Sequence, residues 1–276
     1  MIKKRIIITF IAVCIALVFL FPFFWVIVTG FKTSPEASAW PPTILPAAPT
    51  LSAYHEVWKT FPFPRWFFNS IVIAGGTTLA ILFLTSLAAY AFAYYRFPGH
   101  TVIFFLILSG LIVPMHLRMI PTFLLIKSLN LLDSYQGLII PQIASNCALG
   151  IFLLTQYNKY IPEELIAAAR IDGCGEFRIY GSIILPLTKP ALVTLGIFVF
   201  LYSWNNFLWP LIVVQEETMK TLPVGLLDLA PIALTHKMTW PQRMAGTSIV
   251  IVPIVTVFFL FRNLFIKSFV ISGLKG

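Results

Sequence analysis

The chain has 276 residues, of which 59% are hydrophobic and only 11% are charged, and its mean hydropathy is +0.91. Soluble domains carry about 25% charged residues, so this composition excludes an ordinary soluble enzyme. The net charge of +9 lies in loops and termini beside apolar segments, which indicates membrane topology and not a nucleic-acid site. The composition therefore predicts an all-α membrane protein.

Long apolar segments recur along the chain, and each approaches the ~20 residues that a helix needs to span a bilayer. The six predicted spans are about 6–31, 66–95, 100–126, 134–158, 190–214 and 243–263. Prolines at Pro41, Pro42, Pro46 and Pro49 exclude a further span after the first, because proline breaks the helix that lipid-exposed backbone requires. We expect residues 1–276 to form a single transmembrane domain.

The basic cluster at Lys3, Lys4 and Arg5 precedes the first span and predicts a cytoplasmic N terminus. An even number of spans then places both termini in the cytoplasm, residues 32–65 and 215–242 outside, and residues 159–189 inside. Residues 32–65 are either a folded cap or an aromatic belt at the membrane edge. The first span resembles a signal peptide in its basic flank, but it has a bulky aromatic end and no small-residue cleavage site, which favours a retained anchor.

The sequence predicts no metal and no cofactor in this chain. The three cysteines and four histidines are scattered without metal-ligand spacing. The dipeptide Gly-Lys is absent, so the chain has no phosphate-binding loop of the Gly-x-x-x-x-Gly-Lys-[Ser/Thr] type. We therefore expect a protein that is not itself an enzyme.

A short helix is predicted inside the loop 159–189. Pro162 suits a first helical position, and Glu163 and Glu164 favour the positive end of the helix dipole. Gly173 can adopt the left-handed conformation that ends a helix. A helix of about ten residues is only ~15 Å long and is marginal in water, so packing must stabilise it.

Two interpretations of this helix remain open on its residues alone. It either inserts into a groove on another protein, with small alanines allowing close approach and Leu165, Ile166 and Ile171 as apolar anchors, or it rests on the lipid surface. Lipid-surface helices are usually rich in Lys and Arg, whereas this helix has Glu163, Glu164 and Asp172. Its charge favours the protein groove.

The same stretch resembles the cytoplasmic EAA loop of the permease subunits of bacterial ABC importers. That pattern is Glu-Ala-Ala, three residues, Gly, nine residues, Ile, one residue and Leu-Pro. Its positions correspond here to Ala168, Ala169, Gly173, Ile183, Leu185 and Pro186. The spacing matches throughout, but Ala167 stands where the family has glutamate.

Other segments resemble the carbohydrate-uptake branch, whose members are similar to the second permease of the maltose system. They are Phe68-Asn69-Ser70, Tyr90-Ala-Phe-Ala93, Arg96-Phe-Pro-Gly99, Arg170-Ile-Asp-Gly173, Leu185-Pro-Leu-Thr-Lys-Pro-Ala191, Trp204-Asn205-Asn206-Phe207 and Gly273-Leu-Lys-Gly276. The resemblance implies a type I ABC importer permease fold in the bacterial cytoplasmic (inner) membrane. It also implies binding-protein-dependent import of a sugar or sugar-like solute, such as an oligosaccharide or a glycerol-3-phosphate-like compound.

The resemblance implies four kinds of partner: a second homologous permease chain, an ATPase dimer that holds ATP and Mg²⁺, an extracytoplasmic solute-binding protein, and membrane lipid. It also implies the residues that couple this chain to the ATPase. They are Glu164, Leu165, Ile166, Ala167, Ala168, Ala169, Arg170, Ile171, Asp172, Gly173, Ile183, Leu185 and Pro186. Glu164 could supply the carboxylate that is missing at Ala167, because it lies one turn earlier on the helix.

Candidate residues of the substrate path are polar or aromatic groups at the depth of the spans. They are Asn69, Tyr90, Arg118, Gln142, Asn146, Tyr202, Asn205 and Asn206. Each could instead connect helices by hydrogen bonds. The alternative function is a secondary, ion-coupled carrier without an ATPase, but such carriers usually place ionisable residues within their spans.

Overall fold

The computed structural model describes residues 2–229, 238–252, 255, 256 and 259, and these residues form helices and connecting loops without strands. The all-α prediction is thus confirmed for this part of the chain. The α-helices are α1 (Ile2–Gly30), α2 (Ser34–Ala37), α3 (Ser52–Thr60), α4 (Phe63–Tyr94), α5 (His100–Ser109), α6 (Met115–Ser128), α7 (Tyr135–Asn158), α8 (Glu163–Ile171), α9 (Glu176–Ile179), α10 (Leu185–Trp204), α11 (Leu208–Val213) and α12 (Leu222–Gly225). A further helix begins at residue 240 and includes 240–252.

Four helices in the described part of the chain are long and apolar enough to cross a membrane. They are Ile6–Gly30, Phe63–Tyr94, Tyr135–Asn158 and Glu176–Trp204. The first three closely match the predicted spans 6–31, 66–95 and 134–158. Side chains along Ile6–Gly30 are almost all exposed, which suits a helix surrounded by lipid.

The predicted third span, 100–126, differs from the structure because it contains two helices, α5 and α6. Gly110 closes α5, and Pro114 precedes α6 with an extended ψ of 138°. Proline disfavours the helical conformation of the residue before it, so Val113 does not resume the helix that ended at Ser109. A hydropathy pattern cannot reveal this interruption, because every residue from 110 to 114 is apolar or glycine.

The predicted fifth span, 190–214, is also shifted. A continuous helical segment runs from Glu176 to Trp204 through α9, a π-helical stretch at Tyr180–Ile184, and α10. Pro186 follows the π-helical stretch; it has no N–H, and its ring would clash with the carbonyl four residues earlier in a regular α-helix. The wider turn accommodates it. At the other end the chain breaks at Asn205 and resumes as α11.

Two predicted regions fall partly outside the described residues. The described part of the predicted sixth span, 243–263, is helical at 243–252, 255, 256 and 259. In the predicted external loop 215–242, residues 230–237 are not described, whereas a 3₁₀ turn at Glu217–Met219 and α12 are.

The described residues divide into two compact units. The first contains those of Met1–Pro64 and Leu222–Val255, and the second those of Arg65–Thr221 and Thr256–Gly276. In the first unit the buried ammonium of Lys32 donates a hydrogen bond to the Thr43 carbonyl and lies 4.5 Å from the centre of the Trp25 ring. The Glu36 carboxylate accepts hydrogen bonds from Thr43 Oγ1 and from the Ala47 N–H. These contacts fold the segment after α1.

The second unit has its core where α4, α7 and α10 meet. The buried side chains of this cluster are Ile81, Ala89, Leu154, Leu195 and Val199. A second cluster joins α4, α6, α7 and α11 through Ile73, Ile126, Leu138, Trp209 and Val213. The indole N–H of Trp209 donates to the Gly137 carbonyl over 3.1 Å, which connects α11 to the first turn of α7.

Gly137 gives a test of this packing, because a Cβ there would lie 2.0 Å from the carbonyl oxygen of Leu131. We expect Gly137→Ala to lower the free energy of unfolding by about 1–3 kcal/mol, since the backbone must shift to relieve the overlap. Thermal unfolding of the purified protein in detergent, followed by tryptophan fluorescence, measures the effect. Gly75→Ala is the matched control, because a Cβ at Gly75 meets no atom within 4 Å. Equal melting temperatures for the two variants would contradict the packing described here.

Candidate functional site

The short helix predicted between Pro162 and Gly173 is present as α8, Glu163–Ile171. Pro162 precedes it in an extended conformation with ψ 132°, and Glu163 and Glu164 occupy its first turn. Gly173 has a φ of +77°, a conformation that side chains other than glycine rarely adopt. It ends the helix as expected, and the N–H of Cys174 bonds to the carbonyl of Ala169.

One face of α8 packs inside its own chain. Ile166 is 2% exposed, and Ala169, three residues later, is also buried. They form a cluster with Ile161, Ile179 and Ile184. The structure therefore differs from the expectation that Ile166 is an anchor for another protein, because residues three apart share a helix face and this face is covered by residues of the same chain.

The rest of the α8 surface is exposed and combines apolar side chains with the charged Glu163, Glu164 and Arg170. Leu165 is 45% exposed and Ile171 is 87% exposed, with the small side chains of Ala167 and Ala168 between them. Phe177, just beyond the helix, is 86% exposed. Phe177 was not among the predicted coupling residues. Its position in the charged loop 159–189 was a usable signal, because a phenylalanine there lies outside every span predicted from the sequence.

A polar network ties α8 to the end of α4. The Arg170 guanidinium forms a salt bridge with the Glu176 carboxylate, with Nε 2.9 Å from Oε1. The Tyr90 hydroxyl donates to the other carboxylate oxygen over 2.7 Å. Arg170 also lies 5.5 Å from the centre of the Tyr95 ring, within the range of a cation–π contact. The hydrogen bond to Glu176 raises the pKa of Arg170, which therefore stays charged.

Tyr90 was predicted as a substrate-path residue, but the structure places it in this network. It is buried in the same cluster as Ile166 and Ala169, and its ring contacts those of Tyr94, Tyr95 and Tyr180 at centroid distances of 5.6–5.7 Å. The tyrosines therefore connect α4 to the loop helix.

The predicted coupling residues that come after α8 lie along the helical segment that enters α10. Ile184 is buried, Ile183 and Leu185 are half-buried, and Pro186 is exposed. Ile183 packs against the cluster under α8. The Thr188 hydroxyl donates to the side-chain oxygen of Asn158 over 2.8 Å, which joins α10 to the end of α7. α8 is thus connected to α4 and to the segment that enters α10, and α10 is joined to α7.

Three predicted substrate-path residues form hydrogen bonds within the chain, and one of them, Asn146, also lines a cavity with Tyr202. Asn69 is fully buried, donates to the carbonyls of Thr218 and Lys220, and accepts from the Tyr135 hydroxyl. The amides of Asn146 and Asn205 each donate to a backbone carbonyl four residues earlier in the same helix. These bonds satisfy the amides, and for Asn69 they account for its burial.

The remaining four predicted residues line one cavity; they are Arg118, Gln142, Tyr202 and Asn206. They come from α6, α7, the end of α10 and the break after α10. The sequence had no pattern that placed these segments together, because they are separated by long helices.

Comparisons with known proteins identify the class. Residues 81–270 match the family described as binding-protein-dependent transport system inner membrane component. The arabinooligosaccharides transport system permease protein AraQ of Bacillus subtilis is 37% identical over 282 residues, covering 99% of this chain and 96% of that protein. The sn-glycerol-3-phosphate transport system permease protein UgpE of Yersinia enterocolitica is 34% identical over 263 residues, covering 93% and 92%.

A solved structure shares the fold: a bacterial ABC transporter involved in the import of the acidic polysaccharide alginate. Its chain superimposes with a TM-score of 0.83 at 24% identity, and the match covers 95% of this chain and 96% of that one. The chain described here therefore belongs to the family of inner membrane components of binding-protein-dependent transport systems. It is a permease subunit of an ABC importer, and its place is the inner membrane.

The Tyr90–Glu176 bond can be tested by a double-mutant cycle. We expect Tyr90→Phe and Glu176→Ala to show a coupling energy of about 0.5–1.5 kcal/mol, because each removes the same charge-assisted hydrogen bond. Thermal or denaturant unfolding in detergent measures it. The control pair is Tyr94→Phe with Glu176→Ala, since the Tyr94 hydroxyl donates to the Asn158 carbonyl; that pair should be additive. A Tyr90 cycle as additive as the control would show that the bond contributes nothing to stability.

Proposed function

We propose that this chain is one of two different permease subunits that together move a sugar or sugar-like solute into the cell. The energy comes from ATP and Mg²⁺ on a separate ATPase dimer, and an extracytoplasmic binding protein delivers the solute. Relatives named for arabino-oligosaccharides and sn-glycerol 3-phosphate support this solute class. A further structural neighbour, at a TM-score of 0.64 and 12% identity, is an alginate transporter in complex with an alginate pentasaccharide-bound periplasmic protein, which supports the third partner.

The observation that carries the proposal is the exposed apolar surface on α8. Leu165 and Ile171 expose large apolar side chains on a short helix that is not one of the four membrane-length helices, and Phe177 is exposed close by, at the start of the Glu176–Trp204 segment. Exposed apolar patches of this kind mark interaction sites, and a helix with small residues between its anchors suits a groove on a partner. We assign this surface, which we call the docking face (Leu165, Ala168, Ile171 and Phe177), to the ATPase.

The connections beneath α8 supply the mechanical path. Ile166 and Ala169 hold the helix to the chain from below, and Glu176 connects it to α4 through Tyr90. The segment that begins at Glu176 continues into α10 without a break. When ATP closes the ATPase dimer, a displacement of α8 is therefore passed to α4 and α10, and the spans move from an inward-facing to an outward-facing arrangement.

The family glutamate at Ala167 is replaced in this role by Glu164. Glu164 is exposed and lies with Glu163, Ala167 and Arg170 around one recess beside α8. A carboxylate there can reach a basic group on the ATPase, although an exposed ion pair contributes only about 0–1 kcal/mol. The apolar docking face then supplies most of the affinity.

This assignment places α8 and both termini in the cytoplasm, as the basic residues ahead of the first span indicate. Residues 32–65 then lie on the outer side, where the binding protein docks. The contacts of Lys32 and Glu36 give that segment a defined surface for such docking.

Ile171→Asp tests the docking face. We expect at least a tenfold loss of ATPase binding, because the change places an unpaired charge in an apolar contact. Co-purification with the ATPase and the rate of binding-protein-stimulated ATP hydrolysis measure the loss. Because Ile171 is 87% exposed, the melting temperature of the variant should equal that of the unchanged chain. Ile171→Leu is the matched control and should keep binding. Unchanged co-purification of Ile171→Asp would refute the docking assignment.

A further inference from the structure

The cavity between α6, α7, α10 and α11 contains polar groups that no contact in the described chain accounts for. It has a volume of about 30 Å³, the size of about two water-sized groups. Its lining residues are Met115, Arg118, Met119, Thr122, Pro141, Gln142, Ser145, Tyr202, Asn206 and Trp209. All belong to the second unit.

Three atoms of this lining are buried without a hydrogen-bond partner in the described structure. They are Arg118 Nε, Gln142 Oε1 and Asn206 Nδ2. The orientation of both amides is set by their other ends. Gln142 Nε2 donates to the Leu138 carbonyl, and Asn206 Oδ1 accepts from the Trp209 N–H. The cavity therefore presents two donors, on Arg118 and Asn206, and one acceptor, on Gln142.

Leaving such groups unpaired is costly, because each loses its hydrogen bond to water and gains nothing in return. The cost is greatest for Arg118, whose positive charge forms no salt bridge with any described residue. No carboxylate lines the cavity, and the nearby Tyr202 hydroxyl is directed to the sulfur of Met115 over 3.4 Å. Arg118 lies in α6, and its buried guanidinium nitrogen without a partner of its own indicates a ligand that supplies one.

We propose that this cavity is a subsite for a single anionic group, a carboxylate or a phosphate, on the solute that the importer moves. Arg118 and Asn206 donate to the oxygens of that group, and Gln142 accepts a hydrogen bond from an adjacent hydroxyl. The small cavity receives the charged end of the solute, and the rest of the solute lies outside it. The proposal rests on the function assigned above and narrows it to a solute that combines hydroxyl groups with a negative charge.

Binding to the full-length chain alone tests this without the ATPase. The chain is placed in nanodiscs of phosphatidylcholine, which has no net charge, and its melting temperature is measured with glycerol 3-phosphate, galacturonate, glycerol or galactose. We expect one or both anions to raise the melting temperature by about 2–4 °C at saturation, because they bind only the folded state. The neutral compounds should have no effect. The anion that acts distinguishes a phosphate from a carboxylate subsite.

Arg118→Gln should weaken anion binding at least tenfold, since it removes a charge-assisted hydrogen bond. Its melting temperature without ligand should be equal to or above that of the unchanged chain, because the unpaired charge is gone; an arginine with a purely structural role would lower it. Lys127→Gln is the matched control. It removes the same charge from an exposed position on the same helix and should bind as the unchanged chain does. If Arg118→Gln does not fold, Arg118→Lys, which keeps the charge and loses the planar donor geometry, should bind several-fold more weakly.

Three results would overturn the subsite: no shift with either anion, equal shifts with the neutral compounds, or an unchanged response in the Arg118 variants. A response to phosphatidylglycerol nanodiscs in place of the soluble anions would assign the cavity to a lipid headgroup and would overturn it as well. None of these results depends on ATPase binding. A failure of the docking assignment, seen with Ile171→Asp, is therefore distinguishable from a failure of the anion subsite.

Discussion

The arrangement of the candidate site depends on the contacts that hold the nine-residue helix α8 in place. A helix as short as α8 is marginal in water, so its stability comes from the contacts that Ile166 and Ala169 make with the rest of the chain. Those contacts leave the other face free, and that face carries Leu165 and Ile171. The packing that keeps α8 folded therefore also decides which of its residues remain exposed, and the proposed docking on the ATPase uses those exposed residues.

The salt bridge and hydrogen bond of Glu176 make the attachment of α8 directional. Its carboxylate receives Arg170 from one side and Tyr90 from the other, so a single side chain connects the loop helix with α4. Hydrogen bonds to a charged group are shorter and stronger than neutral ones. Apolar packing alone would allow α8 to slide across the cluster, whereas these directional bonds fix its rotation. α8 can approach α4 because the small side chain of Ala169 and the ring of Tyr90 belong to the same buried cluster.

The sequence predicted the fold class, three of the four long helices and the limits of α8, because these depend on local signals: hydropathy over about 20 residues, Pro162, and the glycine at Gly173. It did not predict the break between α5 and α6, where apolar residues continue through Pro114, or the extension of the helix back to Glu176. It did not predict the hydrogen bond from Tyr90 to Glu176, since a tyrosine in a span gives no sign of its partner. The sequence could predict Arg118 and Asn206 individually as substrate-path residues, but only the fold shows that they line one cavity with Gln142.

The length of the helical segment from Glu176 to Trp204 determines how far a small tilt at one end displaces the other end. At 1.5 Å per residue it is roughly 40 Å long, so a rotation of one degree about one end displaces the other by roughly 0.7 Å. The salt bridge to Arg170 lies at one end and the cavity that contains Tyr202 and Asn206 lies at the other. A tilt of about three degrees at the Glu176 end would thus displace the Tyr202 end by roughly 2 Å. The fit of the proposed solute group in the cavity would therefore depend on the angle of this one helix.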